Sequence, residues 1–261
     1  MASDVKRYFV ELSYLGTHYH GWQRQPNKIS VQETVENAFS TVLRNTITVF
    51  GCGRTDTGVH ASQYFCHFDI DKELPIHFLQ TINRLLPKDI AIKQFILQDD
   101  LSRHARFQAC RRTYEYHITF QKNPFVLHNT WKYGFVLKPD FLLMQKAALL
   151  IAKYHDFTPF CKTGHSAQSM ICQIYESTWI FDEKKQTATY KISANRFLRG
   201  MVRLIVGALI QVGIKKMSLG ELEYALENQS FIKQGLSVPA EGLTLTEVRY
   251  PWENVQCDAL K

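Results

Sequence analysis

The feature that most constrains the fold is an order of elements that occurs twice along the chain. Tyr8, Val10, Leu12 and Tyr14 alternate with a more mixed set over residues 6–15, the period of a strand. A loop, GTHYHGWQRQPNK, follows. Ser30 then opens a helix with Glu33 three residues on, and Val31, Val35, Ala38, Phe39, Val42 and Leu43 form one apolar stripe ending near Asn45. TITVFG predicts a short strand, and SQYFCHFDI a second with Tyr64, Cys66, Phe68 and Ile70 on one face. A helix bracketed by Pro75 and Pro87 and a strand DIAIKQFILQ complete a βαββαβ half.

After the basic connector RHARFQACRR the order partly recurs. It runs through strands over 113–120 and 130–137, a helix from an Asp140 cap to about Tyr154, and strands over 172–181 and 187–194. Helices over 196–213 and 218–228 follow, the second with a Ser218–Glu221 capping box, before a closing strand LTLTEVRY. The expected class is α+β: two similar α/β halves, residues 1–104 and 105–261, sharing a central mixed, mainly antiparallel sheet with helices packed on it.

Composition sets the environment of this fold. The chain has 261 residues, 45% of them hydrophobic, enough for a substantial core. Lysine and arginine number 31 against 24 acidic residues, a net charge of +7, so the surface attracts polyanions. Six cysteines lie scattered without a C-x-x-C pair and read as free thiols in a reducing compartment. No signal-peptide pattern opens the chain, and the apolar run Leu204–Ile210 is too short to span a bilayer, so a soluble cytoplasmic protein with no membrane partner is expected. There is no metal-ligand cluster and no dinucleotide fingerprint.

The stretch GCGRTDTGVHA, Gly51 to Ala61, lies between two strands and admits four readings. Its glycines may serve a hairpin connection on which Arg54 and Asp56 pair at the surface. A phosphate-cradling loop lacks the Lys-Ser/Thr that follows the glycines of a P-loop. An aspartic protease needs two facing carboxylates, and only one DTG is present. The fourth reading makes Asp56 an ionised nucleophile or electrostatic stabiliser, which requires a cation from elsewhere. Between Met201 and Ile210 every residue is apolar or glycine except Arg203, and a helix over 196–213 places Arg196, Arg199 and Arg203 on one side. A buried guanidinium needs a carboxylate partner, but periodicity does not name it.

The same residues resemble a family. GCGRTDTGVHA is similar to the signature of the TruA family of tRNA pseudouridine synthases. YLGTHYHGWQRQP, NRLLPKDI, HARFQACRRTYEYHI, NRFLRGMVRLIVGALIQVG and AEGLTLTEVRY resemble further family motifs, in the family's order. The resemblance implies that Asp56 is the nucleophile and that Arg54 holds the target nucleotide out of the RNA helix. It makes Tyr114 the ring stacked on the uracil, Arg203 the cation paired with Asp56, and Leu243 an apolar wall of the base pocket.

It implies isomerisation of uridine to pseudouridine in the anticodon stem-loop of tRNA by base flipping, with no cofactor and no metal, by a homodimer. Arg24, Lys28, Arg103, Arg106, Arg111 and Arg112 are candidates for a basic track along the RNA. His60 belongs to the signature and fixes at least the turn. A non-catalytic RNA-binding factor on the same scaffold is the alternative class.

Overall fold

In the computed structural model, which describes residues 5–134, 136–161, 168–232 and 237–252, the alternation at the N-terminus becomes β1 (Lys6–Tyr14). It pairs antiparallel with β3 (His60–Ile70), Val10 opposite Cys66, and on its other side with β4 (Ile90–Gln98), Phe9 opposite Ile96. β2 is only Phe50–Gly51, shorter than the TITVFG run predicts, because only these two residues pair with His67 and Cys66 of β3. The helices are α1 (Val31–Leu43), where the Ser30 side chain accepts from Glu33 N–H, and α2 (Phe78–Leu85). Their apolar stripes meet the sheet around Phe39, whose ring lies 5.3 Å from Phe68, 5.8 Å from Phe78 and 5.6 Å from Phe95.

The chain divides into two compact units, residues 1–110 with 245–261, and residues 111–244. The last strand, β9 (Leu243–Arg249), therefore ends among the first strands. Val248 N–H donates to the Gln63 side chain at 2.9 Å, and Cys110 N–H to Arg249 O at 2.9 Å. Tyr250 packs edge-on to Phe9 and Phe65 while its hydroxyl donates to Ala105 O at 2.7 Å. A large aromatic ring with one satisfied polar tip closes this face of the sheet.

The second unit is built on β5 (Arg111–Thr119), β6 (Trp131–Lys132), β7 (Ile174–Asp182) and β8 (Thr187–Ala194). β8 is antiparallel to both β5 and β7, and β6 runs parallel to β5. The helices here are α3 (Phe141–Ile151), α4 (Met201–Gly213) and α5 (Leu219–Glu227). The expected caps form: Asp140 accepts from Leu142 and Leu143 N–H, and Ser218 and Glu221 form a reciprocal capping box. The Ser177 hydroxyl donates to Ala148 O and meets the Tyr190 hydroxyl, each at 2.7 Å, which locks α3 onto β7 and β8. Among the described residues the class is thus α+β, mixed and mainly antiparallel with five α-helices.

Two expectations need correction. The helix expected over 196–213 begins at Met201, because Gly200 adopts a left-handed conformation, φ 71°, and turns the chain before the first helical bond. Arg196 and Arg199 consequently precede the helix and share no helical face with Arg203. The six cysteines are not all free. Cys52, Cys66, Cys161 and Cys172 are buried thiols, Cys110 is disulfide-bonded, and Cys257 lies outside the described residues. No helix among the described residues is long and apolar enough to cross a membrane.

The buried His67 ring stacks on Phe9 and Phe50, and its Nδ1 accepts from Ala105 N–H at 3.2 Å. Burial first, then the Arg7 and His104 charges, lowers its pKa from 6.5 to about 4. Between those values the unfolded chain takes a proton that the folded chain refuses, so stability falls as pH drops through this window and is flat above it. The expected contribution is a loss of about 2 kcal/mol at pH 5 relative to pH 8. Denaturant titrations of the parent and His67→Gln at both pH values measure it, the substitution removing this part of the slope.

Candidate active site

The loop between β2 and β3 is pinned on several sides. Cys52 N–H donates to Phe65 O at 2.7 Å and closes the base of the connection. The buried Tyr64 hydroxyl donates to Gly53 O at 2.6 Å, and the Tyr14 hydroxyl lies 2.9 Å from Thr55 Oγ1. Val59 N–H donates to Asp56 O at 3.1 Å, with Gly58 third in that turn at φ 79°. This is the pattern of a type II turn. Asp56 opens the turn half-buried, while Arg54, two residues earlier, is exposed.

A second segment, residues 16–22, backs this loop. Trp22 N–H donates to Thr55 O at 3.3 Å and Gly58 N–H to Tyr19 O at 3.3 Å. The Trp22 indole stacks on Tyr64, centroids 4.1 Å apart. Gly16 N–H donates to His60 Nδ1 at 2.9 Å, and His60 is buried. His60 therefore does more than shape its own turn: it holds the backing segment at the point where β3 begins. Replacing His60 with leucine keeps volume but leaves the Gly16 N–H without this acceptor. We expect a loss of about 1–3 kcal/mol in chemical denaturation.

In the second unit, Tyr114 lies on β5 opposite Ile192, its ring edge-on to Phe197 at 5.2 Å. Arg203 sits in the first turn of α4, half-buried rather than engulfed. Its Nε donates to Val238 O at 2.7 Å, and Val238 N–H donates back to Arg203 O at 3.4 Å. The buried Tyr116 hydroxyl donates to the next carbonyl, Pro239 O, at 2.8 Å. Burial pushes that hydroxyl's pKa up, against the opposing effect of the Arg203 charge. Arg203 and Tyr116 thus hold the segment that leads into Leu243, itself buried at the start of β9.

The comparisons with known proteins act on this geometry. A family model described as tRNA pseudouridine synthase matches residues 12–108 and 154–251. The chain belongs to the tRNA pseudouridine synthase family. Arg54, Asp56, Arg203 and Leu243 fall inside the matched residues, and Tyr114 lies between the two matched segments. Proteins named tRNA pseudouridine synthase A are similar along nearly the whole chain. That of Bacteroides fragilis is 44% identical over 253 residues, covering 96% of this chain and 98% of its own. That of Porphyromonas gingivalis is 41% identical, covering 95% and 98%, and that of Bacillus subtilis 36% identical, covering 92% and 97%. The family is one of isomerases, so this chain is an enzyme and not a binding module alone.

The basic-track candidates of this synthase-family chain have distinct settings. Arg24 lies 3.3 Å from Glu33 and 3.4 Å from Glu36, Arg103 donates to Gln98 Oε1 at 2.8 Å, and Arg112 donates to Asn195 O at 2.9 Å. The Arg111 guanidinium lies over the Tyr175 ring at 4.6 Å and that of Arg106 over Phe107 at 5.8 Å, while Lys28 is exposed. Sequence reasoning missed Tyr14, Trp22, Tyr64 and Tyr116 as supports. Each reads as an ordinary strand or loop aromatic, and only the hydroxyls' partners, which are backbone carbonyls or Thr55, distinguish them. No group of three described His, Cys, Asp or Glu side chains is placed to hold a metal ion.

Proposed function

We propose that the chain isomerises uridine to pseudouridine in the anticodon stem-loop of tRNA, with Asp56 as the nucleophile acting on a base flipped out of the helix. The observation that supports this most is the intact Gly51–Ala61 signature, held in a pinned loop, in a chain that spans 98% of its 44% identical relative. In this reading Arg54 replaces the neighbours of the extruded base and Tyr114 stacks on the uracil. Leu243 is an apolar wall against that base, and Arg203 is the cation that balances the Asp56 carboxylate.

The reaction breaks the bond from uracil N1 to ribose C1′ and forms one from C5 to C1′. N1 gains a proton and C5 loses one, so the base is rearranged with no net redox change. The carboxylate's task is to hold the separated fragments through that rearrangement. The positive charge excess supports a phosphate-tracking surface, and the same reading has two copies of the chain acting together in the cytoplasm.

The C5 proton supplies the test. Purified protein incubated with tRNA carrying tritium at uracil C5 releases the label to water if it isomerises the base. Binding of the tRNA with no release favours the RNA-binding alternative. Mapping pseudouridine in RNA from cells lacking the protein locates the sites, and loss outside the anticodon arm alone rules out the proposed target.

A further inference from the structure

α1 carries a polar cluster that none of the roles above uses. Gln32 and Glu36, one helical turn apart, are both buried. Gln32 Oε1 accepts from Gln23 Nε2 at 2.7 Å and from Arg24 N–H at 3.0 Å. Its Nε2 donates to Glu36 Oε1 at 3.0 Å and to Val49 O at 3.1 Å, and its backbone N–H donates to Trp22 O at 3.0 Å. Glu36 Oε1 also accepts from Val49 N–H at 3.1 Å, and Oε2 faces Arg24 Nη1 at 3.4 Å. The four hydrogen-bonding positions of the Gln32 amide used here are matched donor to acceptor. Such a cluster is rigid, since leaving any member unpaired in the interior costs free energy.

What the cluster holds is residues 22–24, and residues 21 and 22 are what touch the loop of the proposed nucleophile. Trp22 N–H donates to Thr55 O, and Gly21 lies so close that a Cβ on it would come within 2.3 Å of the same oxygen and 3.1 Å of the Asp56 carbonyl carbon. Trp22 also stacks on Tyr64, which binds Gly53 O. A continuous chain of contacts therefore runs from a helix interior to the residue before Asp56, entirely within one unit. A bare structural role would need only to bury α1, which Val31, Val35 and Phe39 already do.

We infer that Gln32, supported by Glu36, is a positioning residue for Asp56, acting through Trp22 and Thr55. The inference rests on the reading of Asp56 as nucleophile. A carboxylate that must reach a reacting atom is sensitive to displacement, about 1 Å being worth ~10²-fold in rate. Loss of the cluster should appear in the chemical step and not in tRNA affinity, because Gln32 itself is buried away from any RNA.

The test is single-turnover tritium release at saturating tRNA, measured well below the melting temperature, alongside tRNA binding and thermal melting. Gln32→Leu is expected to slow release by about 10²-fold with tRNA Kd changed less than about threefold. Gln32→Glu keeps the acceptors for Gln23 and Arg24 but loses the donor to Val49 O, and should slow release by about tenfold. It carries the test if the leucine variant does not fold. Ser218→Ala, which lowers stability through a cap in the other unit, serves as a control and should release at the parental rate. A parental rate in whichever Gln32 variant folds, or a fall in rate matched by an equal fall in affinity, overturns the inference. Absence of release by the parent protein refutes instead the reading of the function.

Discussion

Asp56→Ala is expected to abolish tritium release from C5-labelled tRNA, by about 10⁴-fold or more, while tRNA affinity stays within a few-fold of the parent. The size of the effect follows from the role: removing a group that forms or stabilises the intermediate removes the route, whereas removing one of many contacts to a large RNA subtracts little from binding. The loop itself should survive the substitution. Its hydrogen bonds to Phe65, Tyr64, Tyr19 and Trp22 are made by backbone groups of Cys52, Gly53, Gly58 and Thr55, none by the Asp56 side chain. A melting temperature near that of the parent with no turnover is thus the expected combination. Residual turnover within tenfold of the parent would falsify the assignment of the nucleophile, and an unfolded variant would contradict the account of how the loop is held.

Gly21→Ala should damage both stability and activity without touching any group proposed to act on the substrate. Gly21 has φ 82°, a left-handed conformation costing an alanine about 1–2 kcal/mol. Its added methyl group would also stand 2.3 Å from Thr55 O, a backbone atom that has no rotamer to escape into. One strand of contact must move, and forced overpacking of this kind costs about 1–3 kcal/mol more. The sum, roughly 2–5 kcal/mol, should be visible as a shifted denaturation midpoint. Because Thr55 precedes Asp56, the variant protein that remains folded should also release tritium about 10²-fold more slowly. A variant as stable and as active as the parent would show that the backing segment is not in contact with the loop in solution.

How much of this was legible beforehand depends on the range of the interaction. Short-range chemistry read well: the caps at Ser30, Asp140 and Ser218 form as the spacing predicts, and β1, β3, β4 and β8 follow their alternation. The helix start at Met201 was misread because the apolar pattern continues upstream through Phe197 and Leu198, while one glycine in a left-handed conformation decides the boundary. β2 and β6 were overestimated because β-branched and aromatic residues mark a propensity, and a strand exists only where a partner offers backbone groups. The candidate residues Arg54 and Asp56 were visible as a motif. Their supports were not, since a tyrosine that binds Gly53 O has the same one-letter signature as a tyrosine in any core.

The sequence alone determined the element types, the caps, the excess of positive charge and the signature that carries the family assignment, because all of these are properties of neighbours along the chain. Only the tertiary structure decided that residues 245–252 pack with the first strands and that His60 reaches back to Gly16. It alone showed that a glutamine in α1 governs the placement of residues 22–24. The physical reason is that buried polar groups must find partners, and which partners they find depends on distances in space that no spacing in the chain encodes.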